Sequence, residues 1–187
     1  MKKALLLLFD DYADFQIGHL LFFLKKKGNY RVMTVSVEGQ DIVSLGGLTV
    51  KPDLSLLDVN IEEFNIVIMP GGDTFDPLLS NESLIYFLKK VHSLNIPIAS
   101  ICGSAVLLGK AGILLNQKFT CNEQTFKQYK EYFSNATYTG EDVELGQQVI
   151  TAKGSSFTSF TVTVGDYLNL WSNEEEKRDA WAFCKGD

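Results

Sequence analysis

The sequence is poor in the residues that hold metals and disulfides. It carries two histidines and three cysteines in 187 residues, and the cysteines at 102, 121 and 184 are odd in number and show no metal-ligand spacing. A zinc site needs close-set Cys or His donors, and none are paired here. Scattered, unpaired cysteines fit a reduced intracellular chain better than a disulfide framework. The expectations are therefore a cytoplasmic location, no metal and no cofactor. Basic charge is scarce as well, with 17 Lys and Arg against 23 Asp and Glu and a net charge of -6. Without a Lys/Arg stripe to neutralise phosphates, nucleic acid and anionic membrane are excluded as partners. The one basic run, Lys25 to Lys27, falls at a helix end, where cations complement the dipole. No apolar stretch approaches the ~20 residues of a membrane-spanning helix. The start, MKKALLLLFD, is broken by Asp10 and Asp11 and followed by no small-residue cleavage site, so it reads as a buried strand and not as a signal peptide.

What the chain does have is apolar material for one core: 45% of its residues are hydrophobic, enough for a single domain over 1–187. Lys3 to Phe9 is the continuous apolar run of a strand covered on both faces of a parallel sheet. Phe15, Ile17, Leu20, Leu21, Phe23 and Leu24 make a helical stripe ended by Gly28, and Tyr30 to Val37 is the next strand. Asp41 to Lys51, with Gly46 and Gly47 at its centre, predicts a small hairpin beside the main sheet. Pro52 to Asn60 is a connection anchored by Leu54, Leu56 and Leu57. Ile66 to Met69 is a short buried strand running into Pro70, Gly71 and Gly72, and Leu84 to Leu94 is a helix. A polar helix is expected over Glu123 to Tyr132. Short strands follow at Tyr138, Val143 and Val149 to Thr151, then helices over Ser155 to Trp171 and Glu174 to Cys184. Strands alternating with helices imply a doubly wound α/β sheet with its ligands at the carboxyl ends of the strands.

The stretch with chemical promise is NIPIASICGSAVLLGKAG, residues 95–112. The strand Ile98 to Ile101 gives way to a helix, and Cys102 stands where the periodicity changes. This is the geometry of a nucleophile elbow, which lifts one side chain clear of the sheet. Ser100 and Ser104 occupy the positions where such elbows usually carry glycine. The first amides of the following helix favour thiolate over thiol, and the thiolate is the nucleophile. Three loops should converge there: Asp10 to Gln16, Pro70 to Thr74, and Cys102 to Ser104.

In their order along the chain, ALLLLFDDYADFQ, SLGGLTVKPDLSLLDVNIEEFNIVIMPGG, IPIASICGSAVLLGKAGILL and QQVITAKGSS resemble the ThiJ/PfpI superfamily. These are class I glutamine amidotransferase-like proteins that include intracellular proteases, deglycases and small stress chaperones. The resemblance implies a flavodoxin-like sandwich, a strained turn at Cys102, an oxyanion hole from the Gly72 and Gly103 amides, and a homodimer. Family members usually hold the cysteine with a first-loop glutamate, and the matching position here is Gln16, which would donate a hydrogen bond to the thiolate but exchange no proton. Asp14 would take that place in a different loop register; its plainer role is a helix cap. The histidine that some members place after the cysteine is Gly103 here, and the one that others place after the next strand is Asn122. His19, one helical turn after Gln16, is the remaining base candidate. Gly71, Asp73 and Asn122 are candidate substrate contacts, with helix capping as the alternative for Asp73 and Thr74. Cys121, on the loop brought towards Cys102, is a candidate resolving thiol. The functions implied are a cysteine-dependent hydrolase, amidase or carbonyl-adduct enzyme acting on a small or peptide carbonyl substrate, or else a redox or stress-response thiol protein or chaperone. A glutamine amidotransferase subunit ranks last, because it requires a His-acid pair late in the chain.

Overall fold

The computed structural model describes residues 1–187. The elements in chain order are β1 (Lys3–Leu7), α1 (Gly18–Lys26), β2 (Arg31–Ser36), β3 (Ile42–Val43), β4 (Thr49–Val50), β5 (Leu54–Ser55), β6 (Ile66–Met69), α2 (Asp76–Leu79) and α3 (Glu82–Ser93). They continue with β7 (Ile98–Ile101), α4 (Ala105–Lys110), β8 (Lys118–Phe119), α5 (Glu123–Gln128), β9 (Thr137–Tyr138), β10 (Val143–Leu145), β11 (Val149–Ala152), α6 (Phe157–Tyr167) and α7 (Glu174–Lys185).

The central sheet has seven strands in the order β10-β11-β7-β6-β1-β2-β5, parallel throughout except for the β10–β11 pair. Its inner strands are the uninterrupted apolar runs: every residue of β6 and β7 is buried. The chain steps one way from β1 to β2 and the other way from β6 to β7. Right-handed crossovers then put α1 and α3 on opposite faces, and a topological switch falls between β1 and β6. Helices α1, α6 and α7 pack together, as do α2, α3 and α4. The hairpin β3–β4 lies to the side. No helix is long and apolar enough to cross a membrane.

Several local expectations are corrected. Phe15 is 59% exposed, and a 3-10 turn over Asp14–Gln16 precedes α1, so the core stripe begins at Ile17. Leu57 is 91% exposed and anchors nothing, while Leu54–Ser55 of the same connection forms the sheet's edge strand. The polar helix stops at Gln128 and resumes as a 3-10 turn over Lys130–Phe133. Helix α2 carries no side-chain cap: Thr74 donates to the Asp11 carboxylate instead, and Asp73 is exposed. On α7 the buried face is Ala180 and Cys184, with Trp181 and Phe183 at its rim.

Candidate active site

Four loops meet at the carboxyl ends of β1, β6, β7 and β11, joined by a fifth segment after β8. The first two are pinned by a bridge between Tyr12 and Gly72, in which the Ala13 N–H donates to Gly71 O at 2.8 Å and the Asp73 N–H to Asp11 O at 3.3 Å. The β8 segment is held by an aromatic cluster in which Phe119 stacks on Phe133 at 4.5 Å and Phe126 on Tyr138 at 4.2 Å. It is tied to the sheet by the Thr120 N–H, which donates to Thr151 Oγ1 at 2.9 Å.

Cys102 follows β7 directly and has φ +65°, the left-handed region that a side chain adopts at a cost of ~1–2 kcal/mol. The turn is clasped from within. Ser100 Oγ and Ser104 Oγ lie 2.8 Å apart, and Ser104 Oγ also reaches Ile101 O at 2.9 Å and Met69 O at 3.0 Å. Both serines are fully buried. Small hydroxyl side chains thus fit where glycine is usual, and they tie the elbow to the end of β6.

The sulfur lies between two glycines. A Cβ on Gly71 would stand 3.0 Å from Sγ, and a Cβ on Gly154 would stand 2.8 Å from it. Its one hydrogen-bond partner is Asn122, whose Nδ2 donates at 3.3 Å. No backbone amide of the following turn bonds the sulfur. The expected Gln16 donor is therefore corrected. Gln16 is buried, but its Nε2 donates to Gly154 O at 3.2 Å and its Oε1 accepts the Gly71 N–H at 2.9 Å. Asn122, expected as a substrate contact, is the residue that donates to the sulfur. It stands at the N-cap position of α5 yet makes no cap bond, because its Oδ1 accepts the Gly154 N–H at 2.7 Å.

None of the remaining candidates hydrogen-bonds the sulfur. Asp14 accepts from Ser44 Oγ at 2.7 Å and from the Phe15 N–H at 2.9 Å, facing the hairpin. His19 packs against Phe157 and Phe183, with ring centroids 6.3 and 6.0 Å away, and offers no base to Cys102. Cys121 is fully buried, and burial, with the neighbouring Cys102 second, pushes its thiol up to about 12, so it is no ready resolving thiol. Gly103 is buried under the Phe75 ring, and Gly72 is half-buried with an N–H that makes no hydrogen bond within the chain. No cluster of three or more His, Cys, Asp or Glu side chains is placed to hold a metal. A cavity of about 280 Å³ at the ends of β1 and β2, lined in part by Phe9, Asp10, Glu38 and Asn81, lies beyond the Phe9–Phe75 ring pair and does not include Cys102.

Gly154 is the residue that sequence reasoning passed over. The signal was available: KGSS follows the buried strand β11, and a parallel strand's carboxyl end is where a fourth site loop belongs.

Comparison with known proteins bears on the family and the fold. The DJ-1/PfpI family matches residues 2–164. A Bacillus subtilis (strain 168) protein named "Uncharacterized protease YdeA" is 33% identical over 171 residues, 91% of this chain and 85% of that one. Deglycase PH1704 of Pyrococcus horikoshii is 31% identical over 143 residues, 76% of this chain and 83% of that one. Among solved structures, the DJ-1 superfamily protein Atu0886 of Agrobacterium tumefaciens superposes with a TM-score of 0.86 at 25% identity, covering 100% of this chain and 99% of that one. Drosophila melanogaster DJ-1beta shares the fold, with a TM-score of 0.80 at 20% identity over 96% of this chain and 95% of that one. With a mostly parallel α/β sandwich, a cysteine on a positive-φ elbow and a family match across nearly all of its length, the chain belongs to the DJ-1/PfpI family.

Proposed function

We propose that the chain is a cysteine-dependent enzyme whose Cys102 adds to the carbonyl carbon of small aldehydes or dicarbonyls. The observation that carries this is the sulfur's company: a half-buried Cys102 whose single hydrogen-bond partner is the neutral amide of Asn122. Amide hydrolysis needs a group to protonate the departing amine, and the obvious base candidate, His19, is packed against Phe157 and Phe183. Addition to an aldehyde expels nothing. The sulfur of the thiolate forms the C–S bond, the carbonyl π pair moves onto oxygen, and the resulting alkoxide takes a proton from solvent. The unbonded Gly72 N–H on the adjacent loop is the donor proposed for that developing charge. Relatives named deglycases support a carbonyl chemistry, and the relative named as a protease is the reason to include peptides in the test.

The test is methylglyoxal consumption together with intact-mass detection of an adduct, for the parent and for Cys102→Ser. The expected result is loss of both in the variant. A parent that leaves methylglyoxal untouched while cleaving peptide amides overturns the proposal.

A second reading, a redox thiol, rests on the contrast among the cysteines. Cys121 and Cys184 are buried, with their thiols pushed up by burial to about 12 and about 11, whereas Cys102 is partly open. Mild peroxide should then oxidise Cys102 first. Oxidation of Cys184 ahead of it removes this reading.

A further inference from the structure

We propose that Gln16 and Asn122 act as one coupled pair of positioning residues, joined through the backbone of Gly154, which fixes a single N–H donor on the Cys102 sulfur. The links run in one direction. The Gly71 N–H donates to Gln16 Oε1 at 2.9 Å, and Gln16 Nε2 donates to Gly154 O at 3.2 Å. The Gly154 N–H donates to Asn122 Oδ1 at 2.7 Å, and Asn122 Nδ2 donates to Cys102 Sγ at 3.3 Å. A backbone N–H only donates and a backbone carbonyl only accepts, so each amide has one workable orientation. Turning Gln16 over would set its NH2 against the Gly71 N–H and its carbonyl against Gly154 O. Turning Asn122 over would set its NH2 against the Gly154 N–H and a lone pair against the sulfur. Gln16, which never hydrogen-bonds the sulfur, thus orders the residue that does, by holding the Gly154 turn in place.

The pair also keeps exchangeable protons off the site. The ionisable groups on the same segments are engaged elsewhere: Glu123 with Lys127, Lys153 with Asp142, Asp14 with Ser44, Asp11 with Thr74 and Asp10 with the Val43 N–H, while Tyr12 is buried with its phenol pushed up by that burial. Asp73 points to solvent and Cys121 is a buried neutral thiol. Two neutral amides therefore present a donor whose strength does not change with pH. The inference rests on Cys102 being the reacting group, but it is read from the sulfur directly and not from turnover.

The experiment is the iodoacetamide alkylation rate of Cys102, followed by peptide mass spectrometry from about pH 5 to about pH 9, with folding checked by circular dichroism. Losing one donor to a thiolate lowers its population about tenfold, and the gain in intrinsic nucleophilicity returns about half of that on a logarithmic scale, so Asn122→Ala should slow alkylation about threefold. Gln16→Met should slow it similarly by releasing Gly154. The double variant should be no slower than the slower single one; a product of the two effects, about tenfold, overturns the coupling. Gln16→Glu keeps the shape and holds the test open if the methionine variant does not fold. Its second oxygen needs a proton to reach Gly154 O, so its rate should match the parent in acid and fall below it once that proton leaves. A profile that tracks the parent's at every pH overturns the proposal. Missing methylglyoxal turnover alongside coupled alkylation effects would remove the proposed reaction and leave the amide pair standing.

Discussion

Replacing Gly71 with alanine is the sharpest test of how the sulfur is packed. The new Cβ would stand 2.4 Å from Cys102 Cβ, 2.4 Å from Gln16 Oε1 and 3.0 Å from Sγ. Carbon atoms in contact sit about 3.5–4.0 Å apart, so something must yield by more than an ångström. The Cys102 Cβ is the atom least able to yield, because it is bonded to an elbow backbone clasped by Ser100 and Ser104. Gln16 can swing away only by abandoning the Gly71 N–H and Gly154 O, both deep in the site. Overpacking costs about 1–3 kcal/mol, and stranding buried hydrogen-bonding groups about 1–3 kcal/mol more. The restricted unfolded chain returns only about 0.4–1 kcal/mol. The net loss is about 1–6 kcal/mol, centred near ~3 kcal/mol, which at ~2–4 °C per kcal/mol for a chain of this size lowers the melting temperature by roughly 10 °C. Thermal melts and urea midpoints read the loss, with Gly18→Ala as the control. Gly18 opens α1 with nothing within 4 Å of its virtual Cβ, so that change should be neutral or stabilising. A Gly71→Ala protein that melts with the parent and alkylates at the parent's rate refutes the packing argument.

Three further outcomes are expected. Ser104→Ala deprives Ile101 O, Met69 O and Ser100 Oγ of a buried partner and should cost about 1–3 kcal/mol by urea unfolding; a loss below about 0.5 kcal/mol would mean the clasp is idle. Cys121 and Cys184 stay protonated in the folded chain up to about 12 and about 11 but ionise near 9 when unfolded, so their contribution is complete below about pH 9 and is lost as pH rises towards those values. The urea midpoint should fall over that window, less steeply in Cys121→Val, and equal slopes in the two proteins would contradict the assignment. Asn173→Ala removes the α7 cap that accepts the Glu176 N–H at 2.8 Å and should cost ~1 kcal/mol; an unchanged melting curve would show that this helix end is held by other contacts.

The sheet was legible because burial on both faces leaves an uninterrupted apolar run, as in residues 4–7 of β1 and in Ile66–Met69. The elbow was legible because strand and helix periods meet at one residue. Features set by distant contacts were not legible. The two-residue strand Leu54–Ser55 has no periodicity to show, and Leu57 is as apolar as its buried neighbour Leu56. Which amide touches the sulfur was hidden for a related reason. Gln16 and Asn122 carry the same functional group, and only the position of Gly154 between them decides that the residue 20 positions after the cysteine donates while the one in the first loop supports it.

Departures from local rules are where a fold shows what it has been shaped around, since each departure needs compensation from its surroundings. Seven residues other than glycine have positive φ, and six of them are Asn or Asp, the types that tolerate it; the seventh is Cys102. Around that one sulfur stand an N-cap asparagine that caps nothing, two glycines with no room for a methyl group, and, bonded to both glycines, a glutamine buried to 4% exposure. Any one of these is unremarkable in a chain of 187 residues. Their coincidence around a strained cysteine is not explained by packing, because a small apolar residue at position 102 would fill the same space and need neither a donor nor a left-handed backbone. A sulfur that stays reachable, keeps one orientation and faces one neutral donor is what the proposed addition to a carbonyl would use.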